Sequence, residues 1–543
     1  MKEIKDPNQQ AGDTLWWQHG TIYQIYPRSF QDSNGDGIGD LKGILQRLDY
    51  LQWLGIECIW LSPIYPSPMA DFGYDISDYT GVSPLFGTMD DFDLLLQEVH
   101  SRGMKLILDL VPNHTSDQHP WFIESRSSRD NPKRDWYIWH DGQADGALPN
   151  NWLSVFGGHA WEWDDTTQQY YYHAFLKQQP DLNWRNPQVQ EAMMAVMRFW
   201  LDKGVDGFRV DVMWHMIKDK QLRNNPTATD SPFHAQDLIY EHHDPVYSTD
   251  QPEVHDIVRM MRAVTDAYQD RVLIGEIYLP IHKLVTYYGH DNNGAHLPFN
   301  FQLLTLPWDA LKISRAIDEY EGALPEQGWP NWVLGNHDQP RISSRVGRSQ
   351  ARVAALLLLT LRGTPTIYYG DEIGMRDVPI PIEEVVDPQG LNMPDRNISR
   401  DPSRTPMQWD STDNAGFSDS KPWLRLPDHF KRVNVKLQKE DDQSTLHFYY
   451  KLLHIRKQEP ALYAGSYRPV FADKQILSYL REKDNDSFLI ILNLSHRPCY
   501  FFVKHTSYCG EVVISTEIER VGKRVEGRIT LSGDEAMLIR LDL

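Results

Sequence analysis

Eight short runs rich in β-branched and other apolar residues, each followed by a longer stretch with apolar residues at helical spacing, constrain this chain more than any other feature. The runs fall at 21–26, 56–61, 104–110, 205–211, 271–276, 298–301, 331–336 and 364–369. Between them, Leu41, Ile44, Leu45, Leu48, Leu51 and Leu54 share one helical face before Gly55. Phe92, Leu95, Leu96 and Val99 do the same before Gly103, and Val189, Met193, Val196 and Trp200 before Gly204. Repeated βα units need helices over both faces of a parallel sheet. Eight of them predict an α/β fold of the (β/α)₈ barrel type, with a doubly wound open sheet as the alternative.

Two excursions interrupt the alternation. One, 114–184, follows the third strand and is rich in Trp, Asn, Gly and Pro; the other, 371–427, follows the eighth and carries many prolines. Both look poor in regular structure and lie after strand C-termini, where barrel loops build sites, so both are expected to be site walls. From about residue 465 the rhythm changes to short alternating runs at 475–480, 487–494, 499–503, 511–515 and 536–541, the pattern of an antiparallel β-sandwich. The expected organisation is thus a barrel in two parts, 14–113 and 185–464, an inserted loop-rich domain at 114–184, and a C-terminal sandwich at 465–543.

Composition narrows the partners. Asp and Glu outnumber Lys and Arg 75 to 54, and the formal charge of −21 repels nucleic acid and anionic membrane surfaces. A neutral small molecule fits better. The 18 Trp, 26 Tyr and 19 Phe mostly fill cores, but such a load also suits a cleft whose ring faces stack on sugar C–H groups. Cys58, Cys499 and Cys509 are the only cysteines, which favours a reducing compartment, and residues 1–13 lack the apolar stretch of a secretory signal. The longest apolar run, 353–359, is too short to span a bilayer. A soluble cytoplasmic protein is expected.

Barrel enzymes carry their chemistry on residues that close the strands. Here Asp109, Asp211 and Glu276 end apolar runs, and Asp338 follows another. Any one could be a cap or an ion-pair partner. Four at strand ends point to a task, because burying a carboxylate is costly. Glycoside cleavage uses two, one to attack the anomeric carbon and one to protonate the leaving oxygen. Arg209, two residues before Asp211 on the same strand face, is expected to keep that carboxylate ionised, whereas Glu276 must hold a proton.

At these residues the sequence resembles the α-glucosidase and oligo-1,6-glucosidase branch of the α-amylase superfamily, glycoside hydrolase family thirteen. The motifs appear in order as DLVPNH (109–114), QPDLNW (179–184), GFRVDV (207–212), GEIY (275–278), NHD (336–338) and RTPMQWD (404–410). The resemblance implies a retaining, exo-acting α-glucosidase on short α-glucosides, with transglucosylation or sucrose isomerisation as alternatives. It also implies Asp211 as nucleophile, Glu276 as acid/base and Asp338 as the third, transition-state carboxylate. Asp71 and Tyr74 in DFGYD, with His114, His337 and Arg400, match positions that hold the non-reducing glucose; Phe156 and Phe175 match pocket walls. Val212, after the nucleophile, goes with α-1,6 cleavage in that branch. Non-catalytic relatives that partner membrane transporters carry a membrane anchor, and here all three acids are present.

Asp32, Asn34, Asp36, the Ile38 carbonyl and Asp40 place oxygens at alternate positions of a Gly-rich loop, as a hard-cation loop does. The simpler reading is a turn held by its own Asp and Asn side chains. The resemblance implies a structural Ca²⁺ or Mg²⁺ there, and no cofactor for catalysis.

Overall fold

The computed structural model describes residues 15–227 and 243–542. The expectations for residues 1–13 and the outer boundaries at 14 and 543 fall outside them. Eight parallel strands form one sheet: β1 (Ile22–Ile25), β2 (Cys58–Leu61), β3 (Lys105–Leu110), β4 (Gly207–Val210), β5 (Val272–Ile277), β6 (Leu297–Asn300), β7 (Asn331–Val333) and β8 (Thr364–Tyr368). Their order is β7-β8-β1-β2-β3-β4-β5-β6. The two end strands are joined by a side chain: Asn331 Nδ2 donates to the Pro298 carbonyl at 2.6 Å, and Asn331 Oδ1 accepts from Asn300 N at 3.0 Å. An amide side chain thus supplies the pairing that nearly closes the barrel, and the open-sheet alternative is excluded.

Alternation along the strands separates two cores. Ile22, Cys58, Trp60, Ile107, Ile274 and Phe299 pack together inside the barrel. Tyr23, Ile59, Leu61, Leu108, Phe208 and Leu273 face the surrounding helices. Gly207 opens β4 inside the barrel, where any Cβ would lie 2.2 Å from the Val272 carbonyl oxygen. The helices follow their apolar faces: Met89–Ser101 starts on a Thr88/Asp91 capping box, and Pro187–Asp202 on an Asn186 cap. The stretch read as one helix, 41–54, is two, Leu41–Gln46 and Leu48–Leu54, because Arg47 leaves helical geometry. Gly55, at φ 100, stops the second.

The first excursion is more regular than expected. It contains a helix, Pro120–Ser127, and a three-stranded antiparallel sheet with Gln169–Tyr172 between Trp139–His140 and Trp161–Asp164. Clustered aromatics, Phe122 stacked on Trp139 at 5.7 Å among them, hold it together. Their dense Trp and Tyr content hid the period-2 pattern. Among the described residues, 371–427 carries only short helical turns. The C-terminal region is antiparallel, as read, but has eight strands rather than five. Six form one sheet (Ser466–Ala472, Ile476–Lys483, Asp486–Asn493, Ala536–Leu541, Cys509–Ser515, Arg524–Glu526) and two another (Cys499–Phe501, Ile529–Leu531). The missed strands are short or lie at sheet edges, where Pro469 and exposed polar residues break the apolar alternation. Among the described residues no helix is long and apolar enough to cross a membrane; the apolar run 353–359 lies in the buried helix Gln350–Thr360. Cys58, Cys499 and Cys509 are all free thiols.

Candidate active site

Strand register brings the acids together. Val210 pairs with Gly275, so Asp211 and Glu276, one residue on, stand level on adjacent strands β4 and β5. Asp109 pairs with Arg209 across β3 and β4. Arg209, fully buried, binds three carboxylates: Nη1 lies 2.7 Å from Asp109 Oδ1 and 2.7 Å from Asp211 Oδ1, and Nη2 lies 2.6 Å from Glu276 Oε2. Both carboxylates meet on the same guanidinium, Asp211 through Nη1 and Glu276 through Nη2. Glu276 Oε2 also accepts the Val212 backbone N–H at 2.9 Å.

Arg209 therefore serves three carboxylates rather than Asp211 alone. Burial and the neighbouring Glu276 push the Asp211 carboxyl well above the ordinary aspartate range against the pull of Arg209. Burial raises Glu276 too, and pushes Asp109 up to about 6. One guanidinium among three buried acids leaves a proton with the pair, and the pair titrates as a unit. Asp338 differs. Burial opposes its ionisation, but His337, Arg400 and Arg404 hold it well below the usual carboxylate range.

The opposite wall is a lattice around Arg400. Its Nη2 lies 2.7 Å from Asp71 Oδ1 and its Nη1 3.3 Å from Asp338 Oδ1. Asp387, within the second excursion, fixes Arg400 by accepting from its backbone N at 2.7 Å, from Nε at 2.9 Å and from Nη2 at 2.6 Å. Arg404 adds Nη2 to Asp338 Oδ1 at 2.9 Å and Nε to the His337 carbonyl at 2.8 Å. Gln179, from QPDLNW, donates to Asp71 Oδ2 at 3.2 Å and lies 3.1 Å from His114 Nε2. The His337 ring is stacked between Tyr74, centroid 5.3 Å away, and Tyr26, 5.7 Å away. Tyr74 OH donates to Asp109 Oδ2 at 3.1 Å. Phe156 lies under the Arg400 guanidinium and packs edge-on against Phe175, which touches His114. Burial keeps both histidines neutral, holding His114 down to about 4 and His337 to about 3.

Asp71, Tyr74, His114, Phe156, Phe175, Asp211, Glu276, His337, Asp338 and Arg400 all line one pocket with a cavity of about 140 Å³. Arg209 lies beneath it. Sequence reasoning did not select Asp387, which no motif marks, nor Gln24, buried on β1. It quoted the motifs holding Gln179 and Arg404 without assigning them; a polar side chain beside a strand-end acid was the available signal.

The metal loop is separate from this pocket. Asp32 Oδ1 accepts from Asn34 N and Gly35 N, Asp32 Oδ2 from Gly37 N, Asn34 Oδ1 from Asp36 N, and Asp36 Oδ1 from Ile38 N. Asp40 grips Ser33 and caps the helix at Gly43 N. Among the described residues no three Asp, Glu, His or Cys side chains gather around a point that an ion could occupy. The loop is closed by its own backbone N–H groups, which its Asp and Asn oxygens accept.

A parallel barrel whose acids converge at the C-terminal strand ends, opposite a fixed arginine, defines a barrel enzyme with a pocket-shaped site. The chain belongs to the alpha-amylase family: the profile of the alpha amylase catalytic domain matches residues 24–465. It is 42% identical to a probable alpha-glucosidase of Rhizobium meliloti (strain 1021), over 89% of this chain and 90% of that protein. It is 40% identical to an oligo-1,6-glucosidase of Parageobacillus thermoglucosidasius, over 91% and 93%. The fold superposes on the alpha-glucosyl transfer enzyme XgtA with TM-score 0.91 at 39% identity, covering 97% of this chain and 100% of that one.

Proposed function

We propose that this protein is an exo-acting, retaining α-glucosidase that releases α-glucose from the non-reducing end of short α-glucosides through a covalent glucosyl-enzyme. The observation that carries it is the level placement of Asp211 and Glu276 at the ends of adjacent strands, both held by Arg209. Retaining pairs stand roughly 5–5.5 Å apart, whereas an inverting pair leaves room for a water at roughly 6.5–9.5 Å. Asp211 attacks the anomeric carbon. Glu276 delivers its proton to the leaving oxygen, then takes one from the water that opens the ester. Arg209 and Val212 both engage Oε2 of Glu276, which leaves Oε1 for the proton. Asp338, ionised between two arginines, accepts from sugar hydroxyls as positive charge grows on the ring.

The wall of Asp71, Arg400 and Asp338 closes the pocket behind one sugar unit, which favours action at chain ends over internal cleavage. Transfer to a sugar in place of water is a second reading, favoured by the likeness to XgtA. We assign α-1,6 linkages to the preferred substrates on Val212. We also retain a structural Ca²⁺ or Mg²⁺ at 32–40 on its oxygen donor set, although those donors would have to re-aim. A cytoplasmic location rests on the three free thiols.

Anomeric NMR with maltose, isomaltose and sucrose tests the activity. Initial α-glucose is expected, with isomaltose turned over fastest. Initial β-glucose would overturn retention; no turnover of any of the three would overturn the glucosidase.

A further inference from the structure

Gln24 lies on β1, facing the barrel interior, wholly buried and outside the pocket lining. Its Nε2 is 2.8 Å from His337 Nδ1 and 3.2 Å from Ser62 Oγ, while its Oε1 has no hydrogen-bond partner. On the other side of the ring, His337 Nε2 lies 3.3 Å from Asp338 Oδ2. Two independent arguments bear on where the imidazole proton sits. Asp338, ionised, can only accept, so its charge favours a hydrogen on the ring nitrogen nearer to it. Turning the Gln24 amide over, so that Nδ1 could hold the hydrogen instead, would bury two unpaired N–H groups in place of one unpaired carbonyl. Orphaned buried N–H groups are the rarer and costlier choice.

We propose that Gln24 is a positioning residue of this site: by donating its amide hydrogen to His337 Nδ1 it fixes the ring as the Nε2–H tautomer, so that His337 presents a hydrogen-bond donor beside Asp338. The sugar then meets an acceptor, Asp338, and a donor, His337, side by side, a match for neighbouring hydroxyls that each give one hydrogen and take another. This consequence rests on the glucosidase reading; the tautomer itself does not. The groups around the ring are Tyr26 and Tyr74 on its faces, Trp60 at its edge, Asp338 at Nε2 and Arg404 on its backbone carbonyl. Arg209 and Arg400 also act on it through space.

The test has a spectroscopic arm and a kinetic arm. Long-range ¹H–¹⁵N correlation of histidine-labelled enzyme, with His337 identified by difference from His337→Asn, is expected to show the Nε2–H pattern across neutral pH. An Nδ1–H pattern would overturn the assignment whatever the activity. Gln24→Glu replaces the donor by an acceptor, so the ring hydrogen moves to Nδ1 and protonation becomes easier. At low pH the doubly protonated ring still donates from Nε2; as pH rises the variant loses that donor. Its kcat/KM is therefore expected to fall about tenfold between roughly pH 6 and pH 9, on a limb absent from the parent. Gln24→Leu, which removes the donor without supplying an acceptor, should lower kcat/KM with the parental pH profile. A folded Gln24→Glu enzyme with the parental profile would overturn the proposal. An Nε2–H signal in a protein that cleaves no glucoside would sink the functional reading instead.

Discussion

Val212 sits in the left-handed backbone region, at φ 36 and ψ 46, and from there its N–H reaches Glu276 Oε2 at 2.9 Å. A β-branched residue pays about 1–2 kcal/mol to adopt that conformation, and here the strain aims a donor at the acid. The same side chain lines the pocket. Val212→Thr keeps the branch and the backbone contact while replacing a methyl by a hydroxyl. Turnover of an aryl α-glucoside should change little, while the isomaltose-to-maltose ratio of kcat/KM should fall by about fivefold or more. An unchanged ratio would remove Val212 as the linkage determinant.

Asp387 is the residue that sequence reasoning had least chance of finding, and its substitution should matter most among the unassigned ones. It is wholly buried and takes three hydrogen bonds from Arg400. Breaking one side of such a pair costs about 3–5 kcal/mol when the partner stays buried. In Asp387→Ala, Arg400 loses the anchor that fixes its orientation against Asp71 and Asp338, so KM for disaccharides should rise about tenfold and the melting temperature should drop. A melting point that drops with KM unchanged would reduce Asp387 to a purely structural role.

The loop at 32–40 gives the cation reading a direct check. Anything that binds only the folded chain stabilises it, by about 2.7 kcal/mol at one hundred times its dissociation constant. Calorimetry after chelation, then with millimolar Ca²⁺ or Mg²⁺ restored, should show a rise in melting temperature. Asp36 is exposed, and its side chain makes one local turn contact, accepting from Ile38 N. Asp36→Ala should therefore abolish the rise while shifting the baseline little. No response in the parent protein would leave the self-closed turn as the whole account of the loop.

The barrel was legible because eight runs alternate with helical faces whose apolar residues are unambiguous, such as Leu95, Leu96 and Val99. The acids at strand ends were legible for the same reason: Asp211 and Glu276 interrupt apolar runs. What was not legible depends on contacts between distant segments. Asp387 lies 13 residues before Arg400 in a stretch without period, and only folding brings its carboxylate onto the guanidinium. Gln24 sits 313 residues from His337. The division of Arg209 among three carboxylates required the register of β3, β4 and β5. From sequence spacing alone its charge fell on Asp211 by default, and the burial and the neighbouring Glu276 that oppose it could not be read.

Asp371, in the turn after β8, offers a pH test independent of catalysis. It is buried, its Oδ1 has no hydrogen-bond partner, and its neighbour Glu372 is gripped by Tyr23 and Tyr50 through Oε1. Burial pushes the Asp371 carboxyl up to about 7, with Arg341 pulling it down and Glu372 pushing it further up. An unfolded aspartate titrates near about 3.9. Between these values the folded chain binds the extra proton, so the contribution to stability is complete below about pH 4 and is lost as pH rises through about 7. Asp371→Asn mimics the protonated acid at every pH. Its melting temperature should match that of the parent at or below about pH 4 and exceed it by about 1–3 °C at pH 8. A shift of equal size at both pH values would mean that Asp371 is ionised throughout, held by Arg341 against its burial.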